Sequence, residues 1–412
     1  MKERKRDRLD HLARLKENNA NTKYFRSHTS SGKAHDGRIH HPKYSPAKES
    51  ESTLSKEAEM SERSARMRHI CSQYPKRRQL LAVLKSKVFY ISEKYKLSYC
   101  RVAKVGSTFW TQVFMTLAGI KPKDGKSLFD IPRDESHETM KEHEELTLNI
   151  HDKRIKETTS FMVARNPYSR LFSSYIDQIF LPNKWYAATF MISGAKNPER
   201  KKCGSDVTFD EFLRAVSGFT IRHMSNDPHW APIFSICLPC ETNIDILAKQ
   251  ETFNEDAEYI LNVAGVEQTT RHEVKRVLKN NYIEHSLSTL VHTYVTKAHD
   301  RKMIRKGCIS ESKIAERIWN AFQIQGYIHN DIQFPEENFK SSSASETEQT
   351  LTKLVLEAAE KRLLTSEERN KQRHNWQVHF WKKVAPATLQ KVQDAYYEDF
   401  HVFQYDLDPN TM

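Results

Sequence analysis

The 412-residue chain contains no long hydrophobic run. No stretch approaches the ~18 consecutive apolar residues that a membrane-spanning helix needs, and no signal peptide with an apolar centre is visible. Taken literally, these absences predict a soluble chain. The alternative expectation is that the recorded start lies downstream of a membrane anchor. The glycosylation signal Asn-x-Ser/Thr is also absent, which is unusual for a protein of the secretory pathway.

Signatures of several common function classes are missing as well. The chain lacks the Gly-x4-Gly-Lys-Ser/Thr spacing of a P-loop kinase, which disfavours ordinary nucleoside triphosphate chemistry. It shows no RNA-binding signature and no aromatic residues interleaved with its basic clusters, which argues against nucleic acid as a partner. Cys237 and Cys240 form a CxxC pair without a second pair to complete a zinc site. The six cysteines permit three disulfides without demonstrating them, and a structural or disulfide role is favoured over zinc.

The net charge of +12 is concentrated in one part of the chain. Residues 1–80 hold 20 Lys and Arg against 10 Asp and Glu, whereas the remainder holds 45 against 43. The apolar fraction of 38% is low for one compact fold, so part of the chain is expected to be unpacked. We predict that residues 1–85 form a basic, disordered stem or tail. The alternative is a contact with a polyanion such as a glycan, nucleic acid or a membrane surface.

Two strand–helix units carry the candidate chemistry. The apolar run 161–164 indicates a buried strand, and Arg165–Tyr175 after it indicates a helix with proline in its first turn. About sixty residues upstream, Ala103–Trp110 follows the apolar stretch Tyr99–Val102 in the same way. Alternating strands and helices favour a parallel α/β sheet. Two anion-binding loops on adjacent strands suggest a ligand with two phosphate-like groups.

The first loop offers several donors to an anion. Gly106 allows close approach of the backbone, and Ser107 and Thr108 supply hydroxyl and N–H groups at a helix start. Lys104 adds a mobile charge that can follow charge developing on a leaving oxygen. By itself, this motif also fits a capped helix with a surface lysine.

The second unit offers side chains rather than glycine. Arg165 can form a bidentate pair with a phosphate, and Ser173 can donate its hydroxyl to the same group. Arg170 and Tyr175 are expected to pack or pair structurally. A single helix with these residues is common, but two such motifs in order, each after an apolar strand, are much less so.

The two segments resemble the 5′-phosphosulfate and 3′-phosphate binding motifs of Golgi carbohydrate sulfotransferases, and most closely those of the chondroitin/dermatan 4-O-sulfotransferase group. The first motif is matched at Lys104, Val105, Gly106, Thr108 and Trp110. The second motif is matched at Arg165, Pro167, Arg170, Leu171, Ser173 and Tyr175. Further blocks of the family resemble Asp227–Pro232, Cys237–Cys240, Ile246–Ala257 and Tyr397–Tyr405. The resemblance spans about residues 88–406.

The resemblance implies a fold, a donor and an acceptor. The fold is α/β, a P-loop-like sulfotransferase fold with a central parallel sheet flanked by helices, formed by residues 86–408 with inserts around 262–390 and a low-complexity linker at 340–350. The reaction is transfer of a sulfuryl group from 3′-phosphoadenosine 5′-phosphosulfate (PAPS) to a carbohydrate hydroxyl, without a metal. The acceptor is an anionic or N-acetylgalactosamine-containing glycan such as a glycosaminoglycan, with 4-O-sulfation favoured. The location is the Golgi lumen or membrane, through an anchor that this sequence does not contain.

The resemblance also assigns site residues. The donor-binding residues are Ala103, Lys104, Val105, Gly106, Ser107, Thr108, Phe109, Arg165 and Ser173. Lys104 is a catalytic residue at the bridging oxygen, and Arg165 and Ser173 hold the 3′-phosphate. The acceptor hydroxyl needs a general base, and His229 is the candidate because imidazole titrates near neutral pH. The alternative is that His229 packs beside Trp230.

Other functions remain possible at this point. The main alternative is a sulfotransferase-like glycan-binding protein without turnover, because Ala103, Ser107 and Phe109 depart from the family's first motif. A nucleotide kinase and a nucleic-acid binder are disfavoured. Residues 181–206 and 226–242 are expected to be irregular loops that select the acceptor.

Overall fold

The computed structural model describes residues 55–73, 87–122, 125, 127–192, 194, 197–221, 227–279, 283–300, 303–339 and 343–411. Most of the predicted tail, residues 1–54 and 74–85, lies outside these ranges. The described residues contain a five-stranded sheet with the order β3-β1-β2-β4-β5. The strands are β1 (Lys87–Ser92), β2 (Leu97–Cys100), β3 (Thr147–Asn149), β4 (Thr159–Ala164) and β5 (Ile246–Lys249).

The part of the sheet that carries the two predicted loops is parallel. β2 pairs in parallel with β4, and β4 with β5, so that Cys100 lies opposite Met162 and Ala164 opposite Lys249. β1 is antiparallel to both β2 and β3. The predicted α/β fold with a central sheet flanked by helices is confirmed, with an antiparallel portion added at one edge. Because β2 and β4 are parallel neighbours, the loops after them meet at one edge of the sheet.

The described ranges contain seventeen α-helices, which cover the sheet and form a second, helical layer. They are α1 (Lys56–Gln73), α2 (Ser107–Leu117), α3 (Arg133–Glu142), α4 (Pro167–Tyr175), α5 (Trp185–Met191), α6 (Pro198–Cys203), α7 (Phe209–Ile221), α8 (Ile233–Cys237), α9 (Pro239–Thr242), α10 (Phe253–Val263), α11 (Gln268–Lys279), α12 (Ile283–Asp300), α13 (Glu311–Ile324), α14 (Ala344–Lys361), α15 (Ser366–Trp381), α16 (Pro386–Ala395) and α17 (Tyr397–Val402). A π-helical turn, Ile176–Phe180, continues α4. Within the described ranges, no helix has the length and apolarity needed to cross a membrane.

The hydrophobic core has two parts. In the first, around the sheet, Tyr99 of β2 stacks on Phe161 of β4 with ring centroids 4.9 Å apart, and Trp110 of α2 lies 4.5 Å from the same ring. The second part lies between helices and includes the buried Trp319 of α13. Helices α12 to α15, from the region 262–390 that was expected to contain inserts, contribute to this second part. That region therefore packs into the body of the protein.

Helix α1 corrects the predicted extent of the tail. Residues 56–73 were expected to be disordered, but they form a helix that buries Met60 and Met67 at 2% and 1% exposure. The Ser64 hydroxyl accepts a hydrogen bond from the Leu247 N–H of β5 at 3.1 Å. This segment is mostly polar, and its few apolar residues form a narrow stripe along one face of the helix. The helix is stable because β5 packs against that stripe.

Three segments predicted to be irregular are partly helical, and one of them, 226–242, contains α8 and α9. The linker expected at 340–350 is helical from Ala344 onward, because Ser343 and Glu346 form a capping box. The Ser343 N–H donates to the Glu346 carboxylate at 2.8 Å, and the Ser343 hydroxyl accepts from the Glu346 N–H. Ser343, in this serine-rich segment, therefore marks the start of a helix rather than part of a linker. Residues 181–206, expected to be a loop, contain α5 and α6.

Three disulfides join distant parts of the chain. They are Cys71–Cys240, Cys100–Cys237 and Cys203–Cys308, with sequence separations of 169, 137 and 105 residues. The two cysteines of the CxxC pair are thus bonded to different partners, which leaves neither as a thiolate for zinc. The disulfide role favoured from the sequence is confirmed. The first two disulfides attach α1 and β2 to the same short segment at α8 and α9.

The double variant Cys71→Ser/Cys240→Ser is expected to lose about 2–4 kcal/mol of unfolding free energy, because a cross-link that closes a long loop restricts the unfolded chain. Urea unfolding under non-reducing conditions measures the loss. The control is Ser61→Ala on the exposed face of the same helix, which should change stability by less than about 0.5 kcal/mol. An unchanged unfolding midpoint in the double variant would contradict this role of the disulfide.

Candidate functional site

A cleft of about 470 Å³ lies where the loops after β2 and β4 meet. The predicted site residues that line it are Ala103, Lys104, Gly106, Ser107, Thr108, Phe109, Arg165, Ser173 and His229. Val105, also predicted, is instead fully buried in the core beside the sheet. The lining residues that sequence reasoning did not assign are Arg133, Asp134, His137, Asp177, Gln178, Asn183, Lys184, Gln250 and Lys297. A larger groove of about 600 Å³ beside α1, α10 and α11 contains none of the predicted residues.

The loop after β2 presents an open helix N-terminus to the cleft. Gly106 precedes α2 with φ +83°, a conformation that glycine adopts without steric cost. No side chain caps this helix start, so the N–H groups of the first turn, Ser107 to Phe109, are available to an anion. A Cβ on Gly106 would lie 2.5 Å from ring atoms of Phe253. The backbone therefore lies too close to this ring for any residue but glycine.

The second unit relies on side chains, because its helix start is already occupied. The Asn166 side chain caps α4 by accepting hydrogen bonds from the N–H groups of Tyr168 at 2.9 Å and Ser169 at 3.3 Å. The backbone of this turn is therefore not available to a ligand. An anion bound here depends on the side chains of Arg165 and Ser173, both of which line the cleft.

Two arginines hold the loop after β2 in place. Arg165 donates from Nη1 to the Lys104 carbonyl at 2.8 Å. Arg170, 1% exposed, donates from Nε to the Ala103 carbonyl at 3.1 Å. Its other two nitrogens donate to the Ala231 carbonyl at 2.7 Å and the Pro228 carbonyl at 2.8 Å. Arg170 thus has the structural role expected from the sequence, since its guanidinium is satisfied within the protein.

The cations that line the cleft differ in how they are compensated. Ion pairs join Lys104 and Arg133 to Asp177, Lys184 to Asp227, and Lys297 to Asp134. Arg165 has no such partner within 4.0 Å among the described residues. Burial lowers the pKa of Arg165 to about 10, the positive charge of Arg373 acts in the same direction, and the more distant carboxylate of Glu251 opposes both. A partly buried guanidinium without a carboxylate is strongly stabilised by an anionic ligand.

Asp177, in the π-helical turn after α4, is the centre of the polar network in the cleft. It accepts hydrogen bonds from Lys104 Nζ at 2.7 Å, Arg133 Nη1 at 3.1 Å and the Tyr294 hydroxyl at 3.2 Å. Burial alone would raise the pKa of Asp177, but the charges of Lys104 and Arg133 hold it well below its usual range. Sequence reasoning missed Asp177, although a carboxylate within an apolar helical stretch directly after the motif was an available signal.

His229 lines the same cleft from the loop before α8. Its Nδ1 is 2.7 Å from Asp227 Oδ1, and Lys184 Nζ is 3.2 Å from the same nitrogen. The His229 side chain is 28% exposed, whereas Trp230 beside it is buried. Burial lowers the pKa of His229, Asp227 opposes this, and the charge of Lys184 adds to it. The neutral imidazole, which can accept a proton, is therefore favoured near neutral pH.

Comparisons with known proteins agree on one kind of relative. A sulfotransferase family model matches residues 87–308. Carbohydrate sulfotransferase 11 of Rattus norvegicus is 30% identical over 201 residues, which are 46% of this chain and 56% of the relative. Carbohydrate sulfotransferase 9 of Homo sapiens is 30% identical over 184 residues, 43% of this chain and 40% of the relative. The chain thus spans about half the length of the curated relatives it matches. No solved structure matches it significantly.

Gly106→Ala is expected to be more destabilising than Gly119→Ala. Both glycines have positive φ, +83° and +71°, so alanine costs about 1–2 kcal/mol of strain at either site. Only at Gly106 does the new Cβ meet the Phe253 ring, whereas nothing lies within 4 Å of a Cβ at Gly119. The steric overlap should add about 1–3 kcal/mol, measured by urea unfolding of both variants. Equal losses would mean that the ring moves aside without cost.

Proposed function

Because the chain belongs to the sulfotransferase family, we propose that it transfers a sulfuryl group from PAPS to a hydroxyl group of a carbohydrate. The observation that carries this proposal is that Arg165 has no carboxylate partner among the residues that the structure describes. Every other lysine or arginine that lines the cleft has one. Arg165 and the open start of α2 follow adjacent parallel strands. Two separate anion-binding features at one sheet edge suit a donor with phosphate groups at two positions.

The residues of the cleft fit this donor. Backbone N–H groups from Ser107 to Phe109 would hold the 5′-phosphosulfate, and Gly106 supplies the positive φ of the turn that precedes them. Arg165 and Ser173 would hold the 3′-phosphate, which distinguishes this donor from ATP. When bound, the donor supplies a sulfuryl group on a bridging oxygen that leaves with the nucleotide. No metal is assigned to this reaction.

Lys104 is assigned to charge stabilisation. Sulfuryl transfer, like phosphoryl transfer, relies on positioning and on neutralising charge that develops on the leaving oxygen. Lys104 lies in the cleft between the two anion-binding features, with its ammonium on Asp177 at 2.7 Å. This carboxylate keeps the ammonium in the cleft while Lys104 interacts with the bridging oxygen.

His229 is assigned as the general base. Its imidazole lines the same cleft as Lys104, and burial lowers the pKa of the ring, which favours its neutral form. His229 would take the proton of the acceptor hydroxyl as the hydroxyl oxygen bonds to sulfur and the bond from sulfur to the bridging oxygen breaks. The proton then passes to water after the product leaves.

For the acceptor we propose an anionic or N-acetylgalactosamine-containing glycan such as a glycosaminoglycan, with the 4-hydroxyl favoured. The relatives' names support a carbohydrate acceptor. A Golgi location is part of this proposal. It agrees with three disulfides, which persist in oxidising compartments rather than in the cytosol.

Arg165→Ala is expected to weaken binding of 3′-phosphoadenosine 5′-phosphate by about 30- to 1000-fold, the effect of removing about 2–4 kcal/mol of charge pairing. Adenosine 5′-phosphate, which lacks the 3′-phosphate, should bind the variant and the wild type equally. Isothermal titration calorimetry measures both ligands. Arg154→Ala is the control, because Arg154 pairs with Asp152 on the surface. If the variant still distinguishes the two nucleotides as the wild type does, Arg165 does not bind the 3′-phosphate.

His229→Ala is expected to lower transfer by about 10²- to 10⁴-fold, the usual contribution of a general base, while nucleotide affinity stays within twofold. Radiolabelled sulfate donor and a panel of desulfated glycosaminoglycans measure transfer. In the wild type, transfer should decline with falling pH only below the usual histidine pKa of 6.5, because burial lowers the pKa of His229 and the protonated ring is inactive. Near-normal turnover of the variant would remove His229 as the base. A wild type that binds glycan and nucleotide without turnover would support a glycan-binding protein instead.

A further inference from the structure

We propose that Asp227 positions His229 for catalysis by holding the hydrogen on its Nδ1, so that Nε2 is the nitrogen that accepts the proton of the acceptor hydroxyl. Asp227 is a positioning residue, since it acts through His229 rather than on the substrate. The inference rests on the proposed function and adds a residue to the site. It also assigns a definite tautomer to the imidazole.

The hydrogen-bond geometry selects this tautomer. Asp227 Oδ1 lies 2.7 Å from His229 Nδ1 and accepts the His229 backbone N–H at 3.0 Å. A carboxylate only accepts hydrogen bonds, so Nδ1 must carry the hydrogen. A bare Nδ1 would place two acceptors 2.7 Å apart, which is repulsive. Lys184 Nζ donates to the other oxygen of Asp227 and lies 3.2 Å from Nδ1, so the contact with Asp227 is the shorter of the two that compete for this nitrogen.

Asp227 also compensates the charge that the ring acquires. The charged groups that face His229 are Asp227, Lys184 and Lys104. The two lysines disfavour an imidazolium, and Asp227 is the group that favours it. Burial would raise the pKa of Asp227, but its hydrogen bonds with His229 and Lys184 lower it to about 2, so the carboxylate stays ionised. A protonated ring is therefore stabilised by one adjacent negative charge.

The surrounding contacts fix the orientation of the pair. Lys184, at the start of α5, binds the Asp227 carboxylate. The Ser174 hydroxyl of α4 donates to the His229 carbonyl, and Arg170 donates to the Pro228 carbonyl between the two residues. Two separate elements, α4 and the start of α5, thus hold a three-residue segment. Such restraint is what a base requires if its ring nitrogen is to face the cleft without rearrangement.

Asp227→Asn tests the assignment. Its amide can donate to Nδ1, which would move the ring hydrogen to Nε2 and remove the acceptor that faces the cleft. We expect kcat to fall by about 10²- to 10⁴-fold, as when a carboxylate that orients a catalytic histidine becomes an amide. Affinity for 3′-phosphoadenosine 5′-phosphate should stay within twofold. Asp227→Glu, which keeps an acceptor-only group, should recover at least about tenfold of the loss relative to the asparagine variant.

Nitrogen NMR of the histidine ring gives a readout that does not depend on turnover. The His229 signals are identified by their absence from the spectrum of His229→Gln. In the wild type they should show hydrogen on Nδ1, and in Asp227→Asn hydrogen on Nε2. Asp206→Asn, at an exposed pair with Arg200, is the control and should change neither the signals nor kcat.

The outcomes separate this inference from the proposed function. Unchanged His229 signals, or an unchanged kcat, in Asp227→Asn would overturn the positioning role. A wild type that transfers no sulfate to any glycan counts against the proposed function, and the ring signals still decide whether Asp227 sets the tautomer. A variant that fails to fold is recognised by its loss of cooperative thermal unfolding, and Asp227→Ala, which removes the acceptor without adding a donor, then provides the same two measurements.

Discussion

The buried guanidinium of Arg170 is the interaction on which the geometry of the cleft depends. It donates to one carbonyl in the loop after β2, at Ala103, and to two that flank His229, at Pro228 and Ala231. A charge this deeply buried is tolerated only when its donors are satisfied. Because one rigid side chain spans both loops, it sets the separation between the assigned donor loop and the assigned base. The sequence motif around Arg170 therefore sets the distance between the two loops in addition to supplying binding residues.

Arg165 and Lys104, the basic residues of the two motifs, differ in whether a carboxylate compensates their charge, and this difference suits them to different roles. Arg165 has no carboxylate partner among the described residues, so an anion can bind it without breaking an ion pair. Lys104 is already neutralised by Asp177 at 2.7 Å. On the proposed function, its attraction to the bridging oxygen grows only as that oxygen acquires charge. Binding then rests on Arg165 and acceleration on Lys104, which is the division that favours turnover over tight ground-state binding.

Much of the fold could be predicted because its signals are local. The strands around Tyr99 and Phe161 are short apolar runs followed by helix starts, and parallel pairing then brings their loops together. Tyr294 and Lys297 could not be predicted from local signals. Both lie on α12, where Tyr294 donates to Asp177 and Lys297 lines the cleft, and only tertiary packing places them there. Helix α1 was not predicted for the same reason. Its short apolar stripe is stabilised by packing on β5, which its own composition does not reveal.

The paired cysteines of the CxxC segment constrain how this chain can fold. Cys237 and Cys240 are three residues apart, yet their partners lie 137 and 169 residues upstream. During oxidation the two neighbours meet each other far more often than they meet Cys100 or Cys71, because short loops close most readily. A local Cys237–Cys240 bridge is therefore a competing product that must be opened by thiolate attack. Wherever that local bridge forms first, maturation of this protein needs disulfide exchange as well as oxidation, and an isomerase or a thiol buffer will then raise its yield.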